Sequence, residues 1–257
     1  MDQIIGNLIV RLEVTDSTNN YANRQIRKNA IPDGTVFLAC EQTTGRGQLK
    51  NVWESEPGQN LLFSIVLFPE FLEIRQQFML SKVVTLGIYK AMNKYVDPLK
   101  IKWPNDIYAG NQKLGGILIE NSIMNGLLKS SVVGIGLNVN QTVFYSDAPN
   151  PVSLQLLTNQ QFDCEIILTE ILSGINWYYA LLREGKKETV DREFVSVLYR
   201  LNEKHYYKAA EEEEIFEGKI LGVNEIGQLL IRKNNGKTME FHFKEVEFLH
   251  ISEGLND

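Results

Sequence analysis

Between residues 99 and 140 the sequence leaves room for little besides short strands in a sheet. Four runs follow one another there: LKIKW (99–103), DIYAG (106–110), KLGGILIEN (113–121) and SSVVGIGLNVN (130–140). Turn-forming pairs such as Gly110-Asn111 and Asn125-Gly126 break them apart, and such pairs end strands because they accept backbone angles that other residues resist. The flanking segments are of two kinds. NLIVRLEV (7–14) and TVFLACEQ (35–42) read as strands, and NLLFSIVLF (60–68) is a nearly continuous apolar run, as expected of a strand covered on both faces. Residues 17–29, with Ser17 as N-cap, and residues 75–95, 164–183 and 187–200 read as helices. Together they predict an α+β domain built on a mixed sheet.

At residue 211 the chain turns to EEEE, a like-charge run of the kind that makes a solvated linker. Beyond it, IFEGKILGVNEIGQLLIRKNNGKTMEFHFKEVEFL alternates short strands with turns. That is a small all-β unit of about forty residues, too small to bury much core alone and so expected to dock on the larger one. The expected division is 1–208 and 209–257.

Composition narrows the function. The 257 residues carry 26 Lys plus Arg against 32 Asp plus Glu, a net charge of −6. A protein that binds nucleic acid broadly needs a basic face, so no DNA partner is expected. Two cysteines far apart, Cys40 and Cys164, and three late histidines, His205, His242 and His250, make neither a disulfide framework nor a zinc or histidine metal centre. The first residues lack a long apolar run, so neither a signal peptide nor a membrane span is expected, and the location expected is cytoplasmic.

The stretch EQTTGRGQLKNVW (41–53) places Arg46 between Gly45 and Gly47, with Trp53 shortly after. Glycines let backbone N–H groups approach a ligand, and the arginine adds a permanent cation with several donors. The loop therefore suits a ligand with an anionic end and an apolar body, although a surface turn with a chance arginine reads the same locally. In KIKWPNDIYAGNQKLGGILIE (100–120), strict alternation puts Lys113, Gly115, Ile117 and Ile119 on one sheet face and Leu114, Gly116, Leu118 and Glu120 on the other. Paired glycines weaken a strand, so they point to a ligand or another backbone close by. Lys113 beside them is either a phosphate contact or an ordinary lysine at a hairpin end. GIGLNVN (134–140) lacks the third glycine and the following helix of a dinucleotide fingerprint. No GxxxxGK[ST] phosphate loop exists either.

Taken in order, Ser17-Thr18-Asn19, Gln42 with Gly45-Arg46-Gly47 and Trp53, KWPND (102–106), Lys113 with GGIL, and GIGLNVN form a combination that resembles the biotin protein ligases over essentially the whole chain. The resemblance implies a catalytic domain related to class II aminoacyl-tRNA synthetases, with an SH3-like β-barrel at the C-terminus. It also implies ATP-dependent transfer of biotin, through biotinyl-AMP, to a lysine of a carrier domain of acetyl-CoA or a similar carboxylase. Magnesium would accompany ATP. Biotin contacts are implied for Ser17, Thr18, Asn19, Gln42, Gly45, Arg46, Gly47, Gln48, Lys113, Gly115 and Gly116. ATP contacts are implied for Arg46, Trp53, Lys113 and Asn138, with Lys113 and Arg46 as the catalytic pair. No particular residues are expected as magnesium ligands.

The family loop reads G-R-G-R, whereas this chain has Gln48 at the second arginine's position, with Lys50 as a nearby cation. The first strand and TDSTN begin within the first twenty residues, so a preceding helix-turn-helix domain is not expected. A lipoate or octanoate transferase of the same superfamily leaves the polar ureido-facing set unexplained. A biotin sensor without turnover does not need Lys113, and an inert scaffold does not need the intact motifs. The chain is expected as a monomer or weak homodimer.

Overall fold

The computed structural model describes residues 3–48, 51–145, 150–210 and 215–249. Seven strands form one sheet: β1 (Ile9–Thr15), β2 (Val36–Gln42), β3 (Leu61–Leu67), β4 (Leu99–Lys102), β5 (Asp106–Ala109), β6 (Gln112–Met124) and β7 (Leu127–Leu137). Their order is β1-β2-β3-β7-β6-β5-β4. β1 and β2 run parallel, joined through helix α1 (Thr18–Lys28), and every other neighbouring pair is antiparallel. A parallel pair needs a crossover, and α1 supplies it. The sheet is mixed, as the strand and helix patterning predicts.

Helices α2 (Phe78–Met92) and α4 (Cys164–Arg183) share the main core with Phe63, Ile65, Ile117 and Ile135 from the sheet. α1 covers the opposite face, where Ala22 packs with Phe37, Val66 and Val132. β3 is thus enclosed on both sides, and all seven of its residues are buried. α2 follows a 3-10 turn at Ile74–Gln76, so the predicted helix over 75–95 starts later. α3 (Leu154–Thr158) is a short helix that the sequence reading did not single out. α5 (Lys187–Ser196) ends before the predicted residue 200 because the next residues pair with β4: Ile101 N–H donates to Val197 O at 2.9 Å and Tyr199 N–H to Ile101 O at 2.8 Å. None of the described helices is long and apolar enough to cross a membrane.

The second sheet contains β8 (Lys204–Ala209), β9 (Ile215–Val223), β10 (Leu229–Lys233), β11 (Thr238–Phe241) and β12 (Val246–Phe248), in the antiparallel order β11-β10-β9-β8-β12. It therefore begins at Lys204, and the expected division at 208/209 falls inside β8. Tyr207 and Ala209 are core positions of this sheet. The EEEE run marks a connection between two paired strands rather than the sheet's start, and residues 211–214 themselves lie outside the described residues. The sheet docks through Trp103, whose indole N–H donates to Gly227 O at 2.9 Å while Phe243 meets its ring edge-on.

The two main helices approach to backbone contact. A Cβ on Gly87 would lie 2.6 Å from Ile175 Cα, and one on Gly174 would lie 2.4 Å from Gly87 O. The neighbour in each case is backbone and cannot rotate away. Gly87→Ala is expected to destabilise the fold by about 1–3 kcal/mol or more, the scale of overpacking. Urea unfolding checks this, and an unchanged midpoint would show that the crossing can widen freely.

Candidate active site

The site is built on side-chain-free backbone. β6 and β7 pair with Gly116 opposite Gly136 and Leu118 opposite Gly134. These three glycines bare one patch of the sheet on the face that α1 partly covers. Added Cβ atoms would meet Asn19 Oδ1 at 2.3 Å from Gly134, the Trp53 indole at 2.4 Å from Gly136, and Asp106, Trp53 and Lys113 at 3.2–3.3 Å from Gly116. Asn19, Trp53, Lys113 and Asp106 thus all gather over the glycine floor.

Lys113 reaches this face because β6 is bulged. The pairing with β5 shifts between Ile107 and Tyr108, which face Gly115 and Lys113 respectively, so Leu114 is the extra residue. A bulge reverses the alternation beyond it. Lys113 therefore shares a face with Gly116 and not, as strict alternation predicts, with Gly115. Gly115 is buried and faces the core, where a Cβ would meet Leu137 Cδ1 at 2.9 Å and Gly136 O at 3.0 Å. Strict alternation pairs it with Lys113, whereas the structure sets it on the face opposite to Lys113 and Gly116.

The start of α1 makes one wall. Ser17 occupies the N-cap position in an extended conformation, as predicted, but its side chain makes no capping bond. Gln42 Oε1 does that work from β2, accepting from Thr18 N–H at 2.7 Å and Thr18 Oγ1 at 3.1 Å. Ser64 of β3 donates toward Thr18 Oγ1 and Asn19 Oδ1, both at 2.7 Å; its single proton serves one of them at a time. Asn19 Nδ2 is shared by Leu118 O at 3.2 Å and Glu120 Oε2 at 3.0 Å. The Asn19 amide is thus committed to protein partners and supports the wall, while Ser17, 2% exposed, remains at the helix mouth.

The glycine loop folds back on itself. Gly47 N–H donates to Asn51 O at 2.7 Å and Trp53 N–H to Gly45 O at 3.0 Å, while a Cβ on Gly45 would strike Trp53 O at 2.4 Å. Only glycine at 45 permits this closure, and the closure lays the indole on Gly136. Trp53 Nε1 is buried and has no partner among the described residues. Gln48 is half-buried in the same turn, and Lys50 lies outside the described residues.

Two ion pairs bracket the floor. Lys113 Nζ meets Asp106 Oδ1 at 2.8 Å and stands 5.7 Å from the Trp53 ring centroid. Arg46 Nη2 meets Glu120 Oε1 at 2.9 Å. Lys102, the first residue of KWPND, lies under Tyr108 and donates to its hydroxyl at 3.1 Å; burial pushes its pKa below the usual lysine value, partly opposed by Asp106. Asn138 is 3% exposed, with Nδ2 donating to Val152 O at 3.0 Å and Oδ1 buried without a partner among the described residues. It adjoins Lys113 through the backbone, since Asn138 N–H donates to Leu114 O.

The structure thus brings together Ser17, Thr18, Asn19, Gln42, Gly45, Arg46, Gly47, Trp53, Lys113, Gly116 and Asn138, and turns Gly115 away. Sequence reasoning gave no role to Asp106, Glu120 or Ser64. Acids within strands beside a glycine gap were the available signal for the first two. Ser64 sat unmarked in an apolar run.

A glycine floor, a closed arginine-bearing loop and a lysine on a bulged strand thus lie together in a mixed α/β domain. Residues 12–138 match the model of the biotin/lipoate A/B protein ligase family. A bifunctional ligase/repressor of Bacillus subtilis is 30% identical over 247 residues, covering 91% of this chain and 72% of that protein. The chain belongs to the biotin/lipoate A/B protein ligase family. A biotin–[acetyl-CoA-carboxylase] ligase of Paracoccus denitrificans is 29% identical, covering 87% of this chain and 93% of the relative. The structure of the Aquifex aeolicus biotin protein ligase in complex with biotin and ATP superposes with a TM-score of 0.79 at 27% identity, covering 95% of this chain and all of the other.

Gly136→Ala is expected to lift the Trp53 indole off the floor at an overpacking cost of about 1–3 kcal/mol. Acrylamide quenching in a Trp177→Phe background, where the remaining Trp103 is 5% exposed, reads this as increased accessibility. Unchanged quenching would mean that the indole does not rest on Gly136.

Proposed function

We propose that this chain joins biotin to a lysine of a carboxylase carrier domain at the expense of ATP, through biotinyl-AMP. The observation that carries the proposal is the glycine floor with Lys113 at one end and Arg46 at the other, against which the Trp53 indole rests; a ligand with a flat apolar body and an anionic end would take the indole's place there. In the first step a biotin carboxylate oxygen attacks the α-phosphorus of ATP and pyrophosphate leaves. In the second, the acceptor amine attacks the acyl carbon, and AMP leaves with the electron pair of the broken anhydride bond.

Each wall has a part in these steps. Ser17, Thr18 and Gln42 face the ureido ring, whose donors and acceptor need partners once buried. Asn19 holds Ser64 in place more than it serves the ligand, because its donors are already committed. Gly45, Gly47 and Gly116 admit the ligand close to backbone. Lys113 stands where negative charge develops on the carboxylate and the α-phosphate, and a preorganised cation lowers that barrier. Asp106 orients Lys113 before the ligand arrives. Trp53 forms the nucleotide side, with its unpartnered N–H available to a phosphate or ring acceptor.

Magnesium fits as the cation that ATP brings. No group of three or more His, Cys, Asp or Glu that could hold a metal exists among the described residues, so phosphate oxygens and water would supply most of its shell. Asn138 Oδ1, buried and unpartnered, is the oxygen best placed to join them or to accept from the nucleotide. The cation neutralises phosphate charge when bound. Pyrophosphate release on mixing protein, Mg-ATP and biotin tests the proposal, and equal or faster release with lipoate would defeat the choice of biotin.

Lys113→Ala is expected to fold normally and to lose adenylation by roughly 10²–10³, the scale for one preorganised donor to a transition state. Near-normal pyrophosphate release from this variant would remove Lys113 from the chemistry.

Gln48 should loosen the hold on biotinyl-AMP. A charge-assisted bond contributes roughly 1.5–3 kcal/mol and a neutral one about 1, so an arginine would add about 1 kcal/mol, several-fold in off-rate. Gln48→Arg is expected to slow dissociation of preformed biotinyl-AMP, measured by rapid dilution. Equal rates would show that Arg46 or loop closure already supplies the grip.

A further inference from the structure

Glu120 stands in a site for an anionic ligand, where an acid would be expected to repel. It follows Gly116 and Leu118 on the same face of β6, at the opposite end of the floor from Lys113. Both its oxygens are engaged. Oε1 accepts from Arg46 Nη2 at 2.9 Å, and Oε2 accepts from Asn19 Nδ2 at 3.0 Å and Asn23 Nδ2 at 3.2 Å. We infer that Glu120 is a positioning residue for the ligase reaction: it ties Arg46 of the glycine loop to the start of α1 and holds that cation at the rim of the floor. This inference rests on the biotin-ligase reading above and adds a residue to it.

The surroundings explain why a carboxylate is needed there. Beside the floor opens a cleft of about 350 Å³ lined by Asn20, Asn23, Arg24, Arg27, Arg46 and Glu120. Three of these are arginines, and Glu120 is the acid among them. Without it, Arg46 would face two like charges and turn toward solvent. Arg46 Nη1 is placed as well, donating to Asn20 Oδ1 at 2.7 Å. Asn20 in turn donates to Asp16 Oδ2 at 2.9 Å, which fixes the amide with its oxygen toward the arginine. Asp16 also takes Arg24 in a two-bonded pair. A guanidinium has five N–H donors. Among the described residues one is used on Glu120 and one on Asn20, which leaves three for a ligand. Arg46 and Glu120 cancel in net charge. The pair therefore acts on the adenylate through aimed donors more than through overall attraction.

A double-mutant cycle tests this. Release of preformed biotinyl-AMP is timed for wild type, Glu120→Gln, Arg46→Ala and the double variant. Glu120→Gln keeps the shape and loses the charge, and is expected to speed release about three- to tenfold. It should raise the KM for biotin more than it lowers kcat at saturating biotin. In the Arg46→Ala background the same change should add nothing, because Glu120 acts through the arginine. Glu120→Asp, which keeps the charge but shortens its reach, should release at a rate between wild type and Glu120→Gln. Unchanged release from Glu120→Gln, or an equal acceleration in both backgrounds, overturns the inference, since a merely structural role adds independently of Arg46. The wild-type arm separates this result from the reading on which it rests. If wild type forms no biotinyl-AMP from biotin and Mg-ATP, the ligase reading falls and the inference falls with it.

Discussion

The Gly116–Gly136 pair across β6 and β7, with Gly134 beside it, is the constraint on which the site depends. Glycines within strands give up side-chain packing and cost conformational entropy. The sheet tolerates them because its other face is well packed: Ile117 and Ile135, on the same two strands, lie in the main core at 3% and 4% exposure. One face of β6–β7 therefore holds the fold together while the other is left bare. Asn19 and Trp53 lie where side chains would have been.

The electrostatics follow a related pattern. Each cation of the site rests on its own carboxylate, Lys113 on Asp106 and Arg46 on Glu120. Half-exposed pairs of this kind contribute little to folding stability, typically less than about 1 kcal/mol. Their value is geometric. A lysine or arginine left unpaired samples many rotamers, and fixing it during binding would weaken the ligand's hold. Parking each cation beforehand moves that cost into folding.

Much of this was legible in sequence, for reasons that differ by element. β3 could be read because a continuous apolar run has one stable environment, and α4 because twenty residues of helical pattern leave few alternatives. The loop at 45–53 could be singled out only together with the motifs that follow it, because a surface turn with a chance arginine reads the same locally. The face of Lys113 could not. One extra residue, Leu114, reverses the alternation, and a bulge is set by pairing with β5 rather than by local composition. The capping of α1 was hidden likewise, since Gln42 lies far along the chain from Thr18 and only the parallel β1–β2 pair brings them together. EEEE misled because it is conspicuous, whereas β8 ahead of it has only a short alternating pattern in KHYYKA.

The contact between Trp103 and the second sheet carries one more consequence. Trp103 and Pro104 belong to the turn that leads directly to Asp106, the partner of Lys113. The indole N–H ends on Gly227 O, in the β9–β10 turn, and Phe243 braces the ring from the β11–β12 turn. Shortening the protein at its C-terminal end is thus not a trimming of spare material. It would leave a buried donor without an acceptor in the turn that carries Asp106, the partner of Lys113. The far end of the chain serves as a buttress for the turn near its middle.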